Sequence, residues 1–295
     1  MRHIEEYDGF TNEQLVIKNT FADIINQAND VFKSSGFGDF LGNISGDAPL
    51  WGIRLSRGGS AKTPSTAEVQ ANMKILNETM TRHGITDKKI RAAIQGVIGK
   101  ECGWSPEVEE SYANTPNDRI RGVFDKRVRG LSDAQLNTLK ANDTKFWDRI
   151  YGPDDPTGAG RSNGNTDRGD GGKYRGRGFN GLTFKNEYKK MQDIYNSMGK
   201  SNKTIDIVSN PDSLNDPEVA AEIAVLYFLS GLQSPKIKQL YGTNDPNKFR
   251  DQETATKAIF QINAGLGQDL NKSFFQDTLS KANSLAIDSI EKNLV

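Results

Sequence analysis

Between Gly169 and Thr183 the chain reads Gly-Asp-Gly-Gly-Lys-Tyr-Arg-Gly-Arg-Gly-Phe-Asn-Gly-Leu-Thr, with six glycines in fifteen residues. Such a density suits neither ordinary core nor ordinary linker. Glycine lets a backbone take positive φ or approach a ligand closely, and Tyr174, Arg175 and Arg177 set an aromatic face and fixed cationic donors among the glycines. The composition fits the wall of a site that takes a sugar or a phosphate. A second stretch, Gly99-Lys100-Glu101-Cys102-Gly103-Trp104, is followed by the carboxylate pair Glu109 and Glu110. Two carboxylates near a polar, glycine-lined cleft favour the sugar, because glycosidic cleavage needs one acid for the leaving oxygen and a second to activate water or attack.

The rest of the chain reads as mostly α. Ser65 and Glu68 form a capping box, after which Val69, Met73, Leu76 and Met80 recur at helical spacing. A second helix is expected from about Thr86, with Ile90, Ala93, Ile94, Val97 and Ile98 on one face and Gly103 placed to end it, which puts Glu101 in the last turn. Asp216-Pro217-Glu218 supplies a cap, a first-turn proline and an acid for a helix whose Val219, Ala220, Ile223, Ala224, Tyr227 and Phe228 should be core. Strand signals are sparse apart from a short hairpin at Phe179–Thr183. Residues 152–172 hold seven glycines and almost no apolar side chain. They read as a mobile loop, either a flap over a cleft or a tolerated surface insertion.

Residues 56–65 are small, polar and aperiodic, and mark a linker. Two segments follow: an N-terminal extension over 1–65 and a large domain over 66–295. In the extension, Thr11-Asn12-Glu13 opens a helix with Phe21, Ile24, Ile25, Ala28 and Phe32 on one face. One apolar stripe suits a docking element or a brace better than a second enzyme.

Composition excludes several classes. With 38 basic and 38 acidic residues the net charge is zero, so no overall field draws the molecule to nucleic acid. No apolar run of about 18 residues occurs and the first residues lack a secretory pattern, so neither membrane insertion nor an export route is expected. Cys102 is the single cysteine, so packing and not an intrachain disulfide must hold the fold. His3 and His83 are too few for a zinc peptidase; no metal and no other cofactor is expected. A Cys102–His83 peptidase pair is the remaining nucleophilic alternative.

Glu101-Cys102-Gly103-Trp104 through Glu110, then Asp118–Arg127, then Tyr174-Arg175-Gly176-Arg177-Gly178 resemble bacteriophage lysins of the chitinase-like glycoside hydrolase family nineteen. Asn210–Phe228 is similar to the family's late core helix and Ile262-Asn263-Ala264-Gly265 to its Ile-Asn-Gly-Gly element. The resemblance spans residues 66 to 295 in order, and the order carries more than any one short pattern. It implies a lysozyme-like, chitinase-type α+β domain with a small β-hairpin.

The resemblance also implies a peptidoglycan hydrolase acting on glycan strands of the bacterial cell wall, at the N-acetylmuramic acid to N-acetylglucosamine bond, with chitin the other sugar. Glu101 becomes the general acid: the helix C-terminus and the apolar Val97, Ile98 and Trp104 should raise its pKa. Glu110, with Glu109 its neighbour, becomes the base of an inverting reaction. Thr115 matches a hydroxyl that holds the attacking water, and Thr115-Pro116 also reads as a helix cap with first-position proline. Tyr174, Arg175, Arg177, Thr183, Asn263 and Trp104 become substrate contacts, with one arginine reserved for a structural ion pair. Asn263 before Ala-Gly reads equally as a helix C-cap.

The family usually has Gln at Gly181 and Asn at Glu187, so two substrate-contacting amides are absent. That departure also keeps a non-catalytic phage component in view. The implied locations are the virion tail or baseplate, docked through residues 1–65, or the host cytoplasm before lysis.

Overall fold

The structure, a computed structural model, describes residues 65–106, 111–291 and 295. The expected N-terminal helix and linker, and both Glu109 and Glu110, lie outside the described residues. Among the described residues, twelve α-helices and one 3-10 turn follow in order. They are α1 (Thr66–Arg82), α2 (Lys88–Cys102), α3 (Asn117–Val128), α4 (Asp133–Lys140), α5 (Asp143–Tyr151), α6 (Ala159–Ser162), α7 (Asp170–Lys173) and α8 (Lys185–Met198). After the 3-10 turn Pro211–Asn215 come α9 (Pro217–Leu232), α10 (Pro235–Tyr241), α11 (Gln252–Ala264) and α12 (Ser273–Glu291). The chain is mostly α. Among the described residues there is no β-strand, and the expected hairpin is reduced to a single antiparallel bridge between Arg177 and Leu182. Gly178 and Gly181 turn the chain at φ 73° and 61°, too tightly for a ladder to extend.

Helix α9 organises the core. Thirteen of its sixteen residues are buried, which suits a helix apolar on every side. Ala220, Ala224, Val225 and Phe228 pack into the largest cluster with α1, α2, α11 and α12, whereas Val219, Ile223 and Leu226 pack into a second with α8, Tyr174 and Leu182. Asp216 caps it, accepting from the Glu218 and Val219 amides, and Pro217 fills its first position. On the other side of α2 lies α12. A Cβ on Gly96 would sit 2.2 Å from the Ala282 carbonyl oxygen, so glycine lets the two helices touch backbone to side.

A third cluster joins α3, α4 and α5 through Phe124, Phe146, Trp147 and Tyr151, with Tyr112 stacked on Phe146 at 5.4 Å. Residues 152–172 close against this cluster, and the expected structureless loop is replaced by turns and two short helices. Asp148, fully buried in α5, accepts from the amides of Gly169 and Gly171. Asp155 accepts from the amides of Thr157 and Gly160. A Cβ on Gly171 would lie 2.2 Å from the Trp147 carbonyl oxygen. Gly152, Gly160 and Gly171 serve close backbone packing, Gly158 and Gly169 take positive φ, and buried carboxylates replace the apolar core that the segment lacks.

Candidate functional site

Helix α2 delivers Glu101 to the site. Asp87 caps its start by accepting from the Lys89 amide; Thr86, the expected start, bonds Asn247 instead. Gly103 ends it in the left-handed region at φ 60°. Glu101 therefore stands in the last turn, only 7% exposed. The sequence expectation of a buried carboxyl at the carbonyl end of a helix is met in its placement.

The turn after Glu101 is held from three sides. Trp104 takes φ 57°, which a bulky residue adopts only under constraint. Its ring lies over Gly99, where a Cβ would come 2.3 Å from a ring carbon. Its Nε1 donates to Gln95 Oε1 at 2.8 Å, and its carbonyl accepts from Asn72 Nδ2 at 2.8 Å. Trp104 is thus folded back on α2 and half-buried, fixing the helix end that carries Glu101.

Tyr174 is 2% exposed, its ring edge-on to Tyr188 at 5.3 Å and its hydroxyl donating to the Val208 carbonyl. Arg177 is 5% exposed; Nε donates to Asp212 at 2.8 Å and Nη1 to the carbonyls of Lys173 and Arg175. It is the arginine that makes the structural ion pair. Arg175 is half-buried, with its guanidinium 5.3 Å from the centre of the Trp147 ring and Nη1 bonded to the Gly172 carbonyl. Thr183 is buried and donates to the Gly181 carbonyl at 2.8 Å.

Thr115 is buried, but the cap expected of it is not formed. Helix α3 begins at Asn117 with Pro116 in the cap position and no side-chain capping bond. A proline preset at φ −56° and ψ 141° already gives the chain its entry angle. The Thr115 carbonyl accepts from Lys140 Nζ at 2.8 Å. Asn263 stands half-buried in the last turn of α11, and Gly265, not Asn263, occupies the C-cap. Beside it, Tyr227 donates to the Ile262 carbonyl.

Cys102 and His83 serve separate contacts. The Cys102 thiol is buried and donates to the Ile98 carbonyl, while His83 Nε2 lies 2.8 Å from Glu222 Oε1. Among the described residues no group of three His, Cys, Asp or Glu side chains could hold a metal ion. A cavity of about 440 Å³ lined by Tyr241, Arg250, Asp251, Glu253 and Lys257 contains none of the candidate residues.

Sequence reasoning passed over three groups. One is Asp148, the anchor of the 152–172 segment. The second is Glu187 with Lys190, a pair 3.3 Å apart with both side chains about nine-tenths buried. Burial pushes the Glu187 carboxyl up, although Lys190 pulls the other way. The third is Asn180, 9% exposed at the tip of the glycine-rich turn. The i,i+3 spacing of Glu187 and Lys190 is visible in sequence, but nothing there announces their burial. No protein-family model and no curated protein matches this chain.

Proposed function

We propose that this chain is a phage peptidoglycan hydrolase that cuts the glycan strand between N-acetylmuramic acid and N-acetylglucosamine, with residues 66–295 forming a lysozyme-like, chitinase-type domain. The observation that carries the reading is Glu101, a carboxyl group 7% exposed in the last turn of a rigidly terminated helix. In this reading Glu101 is the acid that delivers a proton to the leaving sugar oxygen. Glu110 is assigned as the base that activates water on the opposite face, which requires the carboxylates to stand roughly 6.5–9.5 Å apart. Arg175, half-buried at the edge of the glycine-rich wall, is the cation assigned to the sugar.

The test is digestion of purified cell wall followed by mass spectrometry. New reducing-end muramic acid is expected; new free amino groups instead would point to a peptidase, and products from chitin alone would move the specificity to that polymer. Glu101→Gln should remove turnover at least about 100-fold while leaving the melting temperature nearly unchanged, because the amide keeps the shape and cannot give up a proton. Glu110→Gln should be similarly severe and Glu109→Gln mild. Equal and mild losses from all three variants refute the two-carboxylate mechanism. A second reading, a non-catalytic wall-binding phage component, draws on Tyr174 and Arg177 being consumed by internal contacts. Full wall binding without products would select it.

A further inference from the structure

The glycine-rich wall ends in a turn that points inward. The Arg177–Leu182 bridge encloses Gly178, Phe179, Asn180 and Gly181. Turn tips ordinarily face water. Here Phe179 is fully buried in the same apolar cluster as Cys102, the neighbour of Glu101, and Asn180 is 9% exposed.

Neither Oδ1 nor Nδ2 of Asn180 has a hydrogen-bond partner. Each of the other side-chain amides with a buried unpartnered atom among the described residues leaves only one such atom: Asn117 and Asn283 leave Oδ1 and Gln252 leaves Oε1, while the nitrogens of Asn117 and Gln252 bond Asp133 and the Lys89 carbonyl. A buried carboxamide with both ends unsatisfied costs stability, and an apolar side chain of the same size would relieve that cost. A ligand that reaches the amide has no internal hydrogen bond of the side chain to displace. Gly178 and Gly181, at φ 73° and 61°, set the turn that carries Asn180.

We propose that Asn180 is a ligand-contacting residue whose carboxamide pairs with the N-acetyl group of an N-acetylhexosamine, Nδ2 donating to the acetyl carbonyl and Oδ1 accepting the acetamido N–H. The assignment rests on the glycan-hydrolase reading and adds a specificity determinant to it. A sugar amide offers one donor and one acceptor at the spacing of a carboxamide, which satisfies both orphaned atoms at once. An unacetylated amino sugar carries an ammonium with no acceptor and satisfies only one.

The experiment compares binding of the tetramer of N-acetylglucosamine with that of the glucosamine tetramer, by calorimetry, for the full chain and for Asn180→Leu. The wild type should prefer the acetylated tetramer by roughly tenfold or more, and Asn180→Leu should shrink that preference to about twofold or less. Its melting temperature should hold or rise, which a hydrogen-bonded structural amide would not allow. On cell wall, KM should rise with kcat little changed. Undiminished preference in Asn180→Leu overturns the assignment, as does a fall in melting temperature with binding unaltered in the folded fraction. Should Asn180→Leu not fold, Asn180→Ala decides the same comparison. A wild type that neither binds the tetramer nor cuts wall overturns the hydrolase reading and this assignment with it. A wild type that does both, matched by the variants, overturns only the role of Asn180.

Discussion

Glu222 shows how a single buried charge is held in this fold. It is fully buried in α9 and faces His83 at 2.8 Å, the Lys200 amide at 2.7 Å and Arg82 at 3.3 Å. Burial alone would raise its carboxyl, but the hydrogen bond and charge from His83, with the Lys200 amide and Arg82, outweigh it and hold the carboxyl below its ordinary value. A carboxylate depressed in the folded state adds stability that is fully present above its unfolded value, near the ordinary 4.5, and that is lost as pH falls through the folded value. Melting temperature should therefore drop steeply below about pH 4.5 in the wild type, and a Glu222→Ala variant should show a shallower drop from a lower start. Its unfolding free energy at neutral pH should be lower by about 3–5 kcal/mol, since breaking a buried pair leaves its partners desolvated. A pH profile of equal steepness in both proteins would show that the acid transition originates elsewhere. At this scale the sequence was legible only in part. Glu101 could be placed because Gly103 announces the helix end, whereas the burial of Arg177 depends on Asp212, thirty-five residues away, and that of Tyr174 on Val208.

Elements with local signals were readable, and elements built from distant contacts were not. The Ser65–Glu68 capping box forms as the spacing implies, and so does the Asp216-Pro217 start of α9, because caps are written within four residues of chain. Residues 152–172 carry no apolar period, so composition pointed to a mobile loop, a flap or a surface insertion. The structure instead ties them down through Asp148, Asp155 and Asn165, whose Nδ2 donates to the Tyr151 carbonyl. Backbone-to-carboxylate bonds of this kind leave no pattern in a sequence. Two variants test whether these bonds carry the segment. Asp148→Ala should cost about 3 kcal/mol or more, because it strands the buried Gly171 amide and uncaps Gly169. Gly171→Val should cost about 1–3 kcal/mol or more through overlap with the Trp147 carbonyl. Hydrogen exchange that is already fast across 152–172 in the wild type, and unchanged in both variants, would return the segment to a loose flap.

Considered whole, the described residues place their apolar side chains in three clusters, two of which share α9 while the third gathers α3, α4 and α5, and the residues forming them run from Leu76 to Ala282. A core of that extent, drawn from ten of the twelve described helices, is large enough to stand without a preceding segment. A chain starting at Ser65 should then melt within a few degrees of the full chain and digest cell wall with the same kcat. The capping box at Ser65 is the boundary condition, since removing it would cost α1 about 1 kcal/mol. If residues 1–64 act as a docking segment for a tail or baseplate protein, as the single apolar stripe of residues 21–32 suggests, their removal should abolish incorporation into particles and leave lysis from within unaffected. Mass spectrometry of purified virions tests this directly. Full-length chain in particles, with none of the shortened chain, supports docking. Absence of both, with undiminished lytic activity in the shortened chain, leaves the catalytic reading standing and assigns the chain to lysis from the host cytoplasm.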